Sequence, residues 1–134
     1  MLVYVDTDIF LNYLLNRKNK LGRSLYPEAA LFFQRVYSGD FKILISNKTL
    51  EELYANIELE QTRMLFEFLK DKIKKVDYTP EEVAEAKSID PIDWKDALHA
   101  LLARKHEAGC LITRNMRHFK KFSHIIQPKF PCEL

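Results

Sequence analysis

Leu2-Val3-Tyr4-Val5-Asp6-Thr7-Asp8 is an apolar run that closes on a carboxylate. Its counterpart near the other end of the chain is Asp93-Trp94-Lys95-Asp96-Ala97-Leu98-His99-Ala100, followed by Leu111-Ile112-Thr113-Arg114-Asn115. The first stretch reads as a buried strand ending at Asp6. The second places two acids one turn apart at the start of a helix, then runs into another apolar strand ending in an amide. In a parallel α/β sheet, strand ends and helix starts collect on one edge, where ligands bind. Acids remote in sequence then converge in space, and converging acids need a cation. The pattern predicts a metal-dependent site.

The rest of the chain alternates in the same way. A helix is expected from about Asp8, with Ile9, Phe10, Tyr13 and Leu14 at helical spacing. Residues 16–24 are polar and basic and read as a loop. Pro27 suits the first position of a helix that continues to Gly39, a residue fit for its C′ position. Residues 41–45 form a second apolar strand, and Leu50, Leu53, Tyr54 and Ile57 mark the helix after it. A further amphipathic helix is expected through Met64, Leu65, Phe68, Leu69 and Ile73, with a short third strand over 76–78. Thr79-Pro80-Glu81-Glu82 combines a cap, a proline and two first-turn acids, a strong helix start that Pro91 bounds at the far end. The helix from Asp93 is expected to reach about Ala108 and close at Gly109. A fourth strand then covers 110–114, a short helix 116–121, and Ile125 and Ile126 offer a last edge strand. The fold class that results is a three-layer α/β sandwich around a central, mostly parallel sheet of four to five strands.

A length of 134 residues fits one domain, 1–134, with a single substantial core. Three glycines and five prolines leave little room for flexible linkers. A net charge of +2 is too small to announce a polyanion partner by itself. Local clusters say more. Lys70, Lys72, Lys74 and Lys75 read as a solvated face, whereas Arg114, Arg117, His118, Lys120 and Lys121 directly follow the acidic site. Cys110 and Cys132, the only cysteines, lack metal-type spacing and read as a buried thiol and a tail thiol, as in a reducing cytoplasm. No signal-peptide pattern or membrane-length apolar run stands in the sequence.

Each acid has a functional and a plain reading. Asp6 is costly inside a strand unless it finds a partner, a metal or a capping role. Asp93 and Asp96 share one helix face at i and i+3, and they also suit an N-cap and the N3 position of the same helix. Glu51 and Glu52 point about 100° apart, so only one can face the site. Glu52 follows Thr49 by three residues, a capping-box spacing. Asn115 can cap the next helix or offer an amide oxygen. His99 and His106 are seven residues apart, which does not pair them on a metal, and both read as surface histidines. There is no glycine-rich phosphate loop and no Gly-x-Ser-x-Gly elbow.

These residues together resemble a PIN-domain ribonuclease, the family that includes VapC-type toxins. Residues 3–11 resemble its opening strand, whose aspartate is the first metal ligand. Ile45-Ser46-Asn47-Lys48-Thr49-Leu50-Glu51-Glu52-Leu53 is similar to its second motif, and that register selects Glu52 over Glu51. Asp93-Trp94-Lys95-Asp96-Ala97-Leu98 resembles the third, with Asp96 in the ligand position and Asp93 matching an acid of one branch. Residues 109–119 resemble the closing motif, with Asn115 where many members carry aspartate.

The resemblance implies RNA phosphodiester hydrolysis with Mg²⁺ or Mn²⁺ held by Asp6, Glu52 and Asp96. Asp93 and Asn115 would complete the site or orient water. It implies Thr7 and Thr113 as hydrogen-bonding supports of the acids, and Arg114, Arg117 and Lys120 as contacts to the RNA backbone. A VapC-like role further implies an antitoxin partner, a homodimer and a cytoplasmic setting. The alternatives are a PIN domain that only binds RNA or protein, a module whose acids are all caps, and a HAD-type phosphotransferase built on Asp6-Thr7-Asp8. The last lacks a small residue where Phe10 stands and a paired acidic motif after the last strand.

Overall fold

The computed structural model describes residues 1–134. Its sheet holds five parallel strands, β1 (Leu2–Val5), β2 (Lys42–Ser46), β3 (Ile73–Val76), β4 (Leu111–Ile112) and β5 (Pro128–Lys129). Their order is β3-β2-β1-β4-β5. The chain builds outward from β1 to β3 on one side, then crosses back to lay β4 on the other. This reversal opens a crevice at the carboxyl ends of β1 and β4, where such sheets hold their ligands.

The side-chain alternation of β1 and β2 sets the layers. Val3, Val5, Ile43 and Ile45 face a core shared with α1 (Thr7–Leu14), α2 (Tyr26–Tyr37), α3 (Asn47–Tyr54) and α4 (Leu59–Phe68). Tyr4 and Leu44 face the opposite core, shared with α5 (Pro80–Ile89), α6 (Trp94–Lys105) and α7 (Met116–Phe119). The three-layer parallel sandwich anticipated from the sequence is therefore present. Phe10 lies wholly inside the first core, packed against Phe33 and Phe66. A bulky aromatic there serves packing. No helix is long and apolar enough to cross a membrane.

Several boundaries differ from the sequence expectation. Ile73 does not extend α4; a short 3-10 turn over Lys70–Lys72 ends the helical stretch and Ile73 starts β3, paired with Ile43. The third strand is thus 73–76 rather than 76–78. As a short edge strand it carries Lys74 and Lys75 exposed, so no buried alternation marked it. The last strand is Pro128–Lys129, not Ile125 and Ile126, because Ile126 packs into the second core from the preceding turn. Proline is tolerated there as the first residue of an edge strand. The long helix stops at Lys105, and the left-handed residue that ends the turn is Glu107 (φ 64°) rather than Gly109. Gly39 does take the left-handed conformation after α2, at φ 89°. Cys110 is buried and Cys132 exposed, both as free thiols.

Candidate functional site

Three of the strands deliver polar groups to the same edge. Asp6 follows β1, Ser46 ends β2 and Thr113 follows β4, and all three are buried. Asp6 occupies the N-cap position of α1, yet its side chain makes no capping bond. Its Oδ2 instead accepts a hydrogen bond from Thr113 Oγ1 at 2.8 Å. Thr113 Oγ1 in turn accepts the backbone N–H of Asn115 at 2.8 Å. Burial raises the Asp6 carboxyl to about 7, and the neighbouring charges of Asp8 and Asp96 push the same way, against His99 and Thr113. Burial and the neighbouring acids thus outweigh the countercharge that His99 supplies.

Glu52 reaches the edge from α3. The capping box of that helix is formed by Ser46 and Thr49, so Glu52 is free of that duty. Thr7 Oγ1 donates to Glu52 Oε1 at 2.6 Å, and His99 Nε2 lies 2.9 Å from the same oxygen. Burial opposes ionisation of Glu52, but the bond and charge of His99, the Thr7 bond and the Lys48 charge outweigh it and hold its pKa below the usual value. Glu51 points elsewhere, accepting from Tyr78 Oη at 2.6 Å. The choice between the two adjacent glutamates is therefore visible in their partners.

Asp96 stands on the first turn of α6, half-buried, with His118 Nδ1 at 3.4 Å. Burial raises its pKa; His99 and His118 oppose this, and the charges of Glu52 and Asp93 add to it. Asp93 and Asn115 sit at the N-cap positions of α6 and α7 without side-chain capping bonds. Asp93 is bound to Lys121, which also meets Asp90 at 2.9 Å. Asp8 pairs with Arg17 at 3.3 Å while its charge is still felt by Asp6. The plain capping readings are thus unused for Asp6, Glu52, Asp93 and Asn115.

His99 corrects the sequence reading. It is not a surface histidine but 1% exposed, with a hydrogen bond at each ring nitrogen. Nδ1 lies 2.6 Å from Tyr4 Oη, which is 2.8 Å from Ser46 Oγ. Burial disfavours the imidazolium, but Tyr4, the bond and charge of Glu52 and the charge of Asp6 prevail and hold its pKa well above the ordinary value. In that charged form both ring nitrogens donate, to Glu52 and to Tyr4, which leaves the tyrosine O–H to donate to Ser46 Oγ. The available signal was the i, i+3 spacing from Asp96, which puts His99 on the acid's face of α6.

Replacing His99 with phenylalanine strips Glu52 of its imidazole partner. The expected loss of stability is about 2 kcal/mol, below the roughly 3–5 kcal/mol for a fully buried broken pair because Glu52 keeps partial access to water. A urea midpoint unchanged from that of the parent chain would contradict this.

The acids do not form a ready-made ligand cage. No three His, Cys, Asp or Glu side chains gather in a coordinating arrangement. Glu52 turns to His99, while burial and neighbouring carboxylates, Asp8 and Asp96 for Asp6 and Glu52 and Asp93 for Asp96, leave both acids with raised proton affinities. The donor chemistry nonetheless fits a hard cation: Mg²⁺ prefers carboxylate oxygens, keeps several waters and needs only one or two carboxylates. Of the basic residues, Arg114 is engaged with Glu28 at 3.4 Å and with the Phe130 ring. Arg117 and Lys120 are exposed, on and directly after the short helix whose His118 meets Asp96.

A PIN domain family model matches residues 3–117. No curated protein matches the chain in sequence. Among solved structures, a chain of VapBC2 from Rickettsia felis, a complex bound to a DNA fragment from the pair's promoter, has the same fold. The match has a TM-score of 0.63 and 18% identity, and covers 97% of this chain and 98% of that one. With the motif order, the parallel five-stranded sheet and a match over most of its length, the chain belongs to the PIN domain family.

Proposed function

We propose that residues 1–134 form one PIN domain that hydrolyses RNA phosphodiester bonds with Mg²⁺ or Mn²⁺, and that it serves as the toxin of a toxin–antitoxin pair in the cytoplasm. The observation that carries this is Asp6: a buried carboxyl raised to about 7 at the sheet's switch point, with Asp96 beside it and one side-chain donor to support it. A fold that keeps such an acid gains from a cation that neutralises it. When bound, the cation would acidify a water and neutralise charge on the phosphate.

The chain's own residues have distinct parts in this mechanism. Asp6 and Asp96 would hold the cation, and Glu52 would join them or receive a proton from water, with Thr7 and His99 fixing its carboxylate. Thr113 orients Asp6 and pins the backbone of Asn115, whose amide would offer a neutral oxygen at the same strand end. Asp93, bound to Lys121, borders Asp96 and would help orient water if that pair opens. Arg117 and Lys120 would meet the RNA backbone, with Arg114 joining only if it leaves Glu28. An acidic edge needs such cations nearby to admit a polyanion.

The partner side of the proposal is an antitoxin bound to this chain, as VapBC2 is a complex of two proteins. The apolar groove of Tyr13, Leu14, Met64, Leu65 and Phe68 between α1 and α4 suits an apolar segment of that partner. A homodimer belongs to the same proposal and is read from the mass in solution.

The deciding experiment is cleavage of an RNA substrate with Mg²⁺ or Mn²⁺, and with chelator. Metal-dependent cleavage supports the nuclease. RNA bound without cleavage under every metal identifies a binding module, the outcome favoured by the neutral Asn115 and by the engagement of Glu52 with His99.

A further inference from the structure

Trp94 is the first residue of α6, adjacent to Asp93 and two residues before Asp96. Three ammonium groups from three helices surround its ring. Lys87 Nζ of α5 lies 4.8 Å from the ring centroid, Lys48 Nζ of α3 5.2 Å and Lys95 Nζ of α6 5.9 Å. Three charges of one sign around one indole repel each other, and a single aromatic face returns only a modest attraction to each. Carboxylates relieve only one of them. Lys48, only 8% exposed, is met by Glu51 at 3.8 Å and by the charge of Glu52, so the unrelieved charge lies on Lys87 and Lys95, which have no acid within ion-pair distance. Lys121, Arg114 and His118 near the same acids all have carboxylate partners.

The arrangement therefore carries uncompensated positive charge beside an aromatic surface, at the rim of an acidic edge. Lys87 and Lys95 are exposed, and their flexible stems let the ammonium groups leave the ring for a phosphate while the indole meets a base. Base-on-aromatic stacking combined with backbone cations is the common way of holding single-stranded nucleic acid. A base can stack only when it is not paired within a helix.

Resting on the ribonuclease function proposed above, we infer that Trp94, Lys87 and Lys95 form a subsite for an unpaired nucleotide flanking the scissile bond. RNA enters with one base against the indole and its phosphates on the two lysines.

Trp94 is the only tryptophan, so its emission reports this place alone. The test titrates the wild-type chain, in chelator so that nothing is cut, with a short oligouridylate, following Trp94 emission and the anisotropy of an end-labelled copy. Emission is expected to quench with the same midpoint as the anisotropy, and a duplex of equal length to bind more weakly. Lys87→Ala/Lys95→Ala is expected to weaken binding about tenfold and to lower the salt slope by roughly 1.4, at about 0.7 per lost phosphate contact on a single strand. Each single variant should give about half that change in slope, and the circular dichroism of all three should match the parent.

RNA that binds with Trp94 emission and salt slope unaffected overturns the subsite, and metal-dependent cleavage by the same preparation would leave the nuclease standing. No RNA binding and no cleavage would overturn both. Quenching by an acidic peptide but not by RNA would make the platform a protein contact and overturn the inference.

Discussion

Asp96→Asn is expected to lower metal-dependent RNA cleavage by about a thousand-fold, the scale of a few kcal/mol of cation-assisted charge stabilisation. The substitution changes one oxygen for an amide and leaves the shape of the first turn of α6 intact. Its effect on folding should be small, because burial already favours the neutral form of this side chain. The measurement pairs initial cleavage rates with thermal melts of both chains without metal. A variant that cleaves at the parental rate would mean that the activity belongs to a contaminant or that Asp96 lies outside the reaction. A collapsed melting curve would instead assign Asp96 a structural role.

Asp6→Asn is expected to stabilise the metal-free protein at neutral and alkaline pH while ending its response to divalent cations. The folded chain holds this carboxyl at about 7, against an ordinary value of 3.8. Below about pH 4 both folded and unfolded chains carry the proton, and the group costs nothing. As the pH rises toward 7 the unfolded chain ionises first while the folded chain keeps its proton, so stability falls. Above about 7 the full penalty is present, of order 4 kcal/mol for a shift of this size. Asparagine has no charge to bury and can still accept from Thr113. The difference in denaturation free energy between the two chains should therefore be near zero in acid and grow to a few kcal/mol by about pH 8. Adding Mg²⁺ or Mn²⁺ should raise the melting temperature of the parent only, since binding to the folded state alone stabilises it. Equal stability of both chains at every pH would remove the case for Asp6 as a carboxyl strained by burial.

This stability cost also explains how the sequence exposed the site. A carboxylate directly after Leu2-Val3-Tyr4-Val5 conflicts with the local demand for an apolar strand, and such a conflict between levels singles out a residue as a candidate. Asp6 was legible for that reason. Thr7 and Thr113 followed from their positions beside the acids, and both do hydrogen-bond a carboxylate. The edge strand β3 was misplaced because two lysines interrupt its four residues, leaving no period to read. The last strand was misplaced because Ile125 and Ile126 look like a strand, whereas the pairing falls on Pro128 and Lys129.

By itself, the sequence determined the layered parallel architecture, since runs such as Val3-Tyr4-Val5 and Ile43-Leu44-Ile45 can bury both faces only between two helical layers. It also determined which strand ends carry acids. Only the tertiary structure decided what those acids touch. The motif register already pointed to Glu52 over Glu51, but that His99 is buried between Tyr4 and Glu52 depends on how α3 and α6 seat against β1 and β2. The lysines around Trp94 come together in the same way, from three helices that no local spacing connects. Periodicity encodes which face of an element is apolar. The partner of a polar group at the end of that element is set by packing across the core, and becomes readable only when the layers are in place.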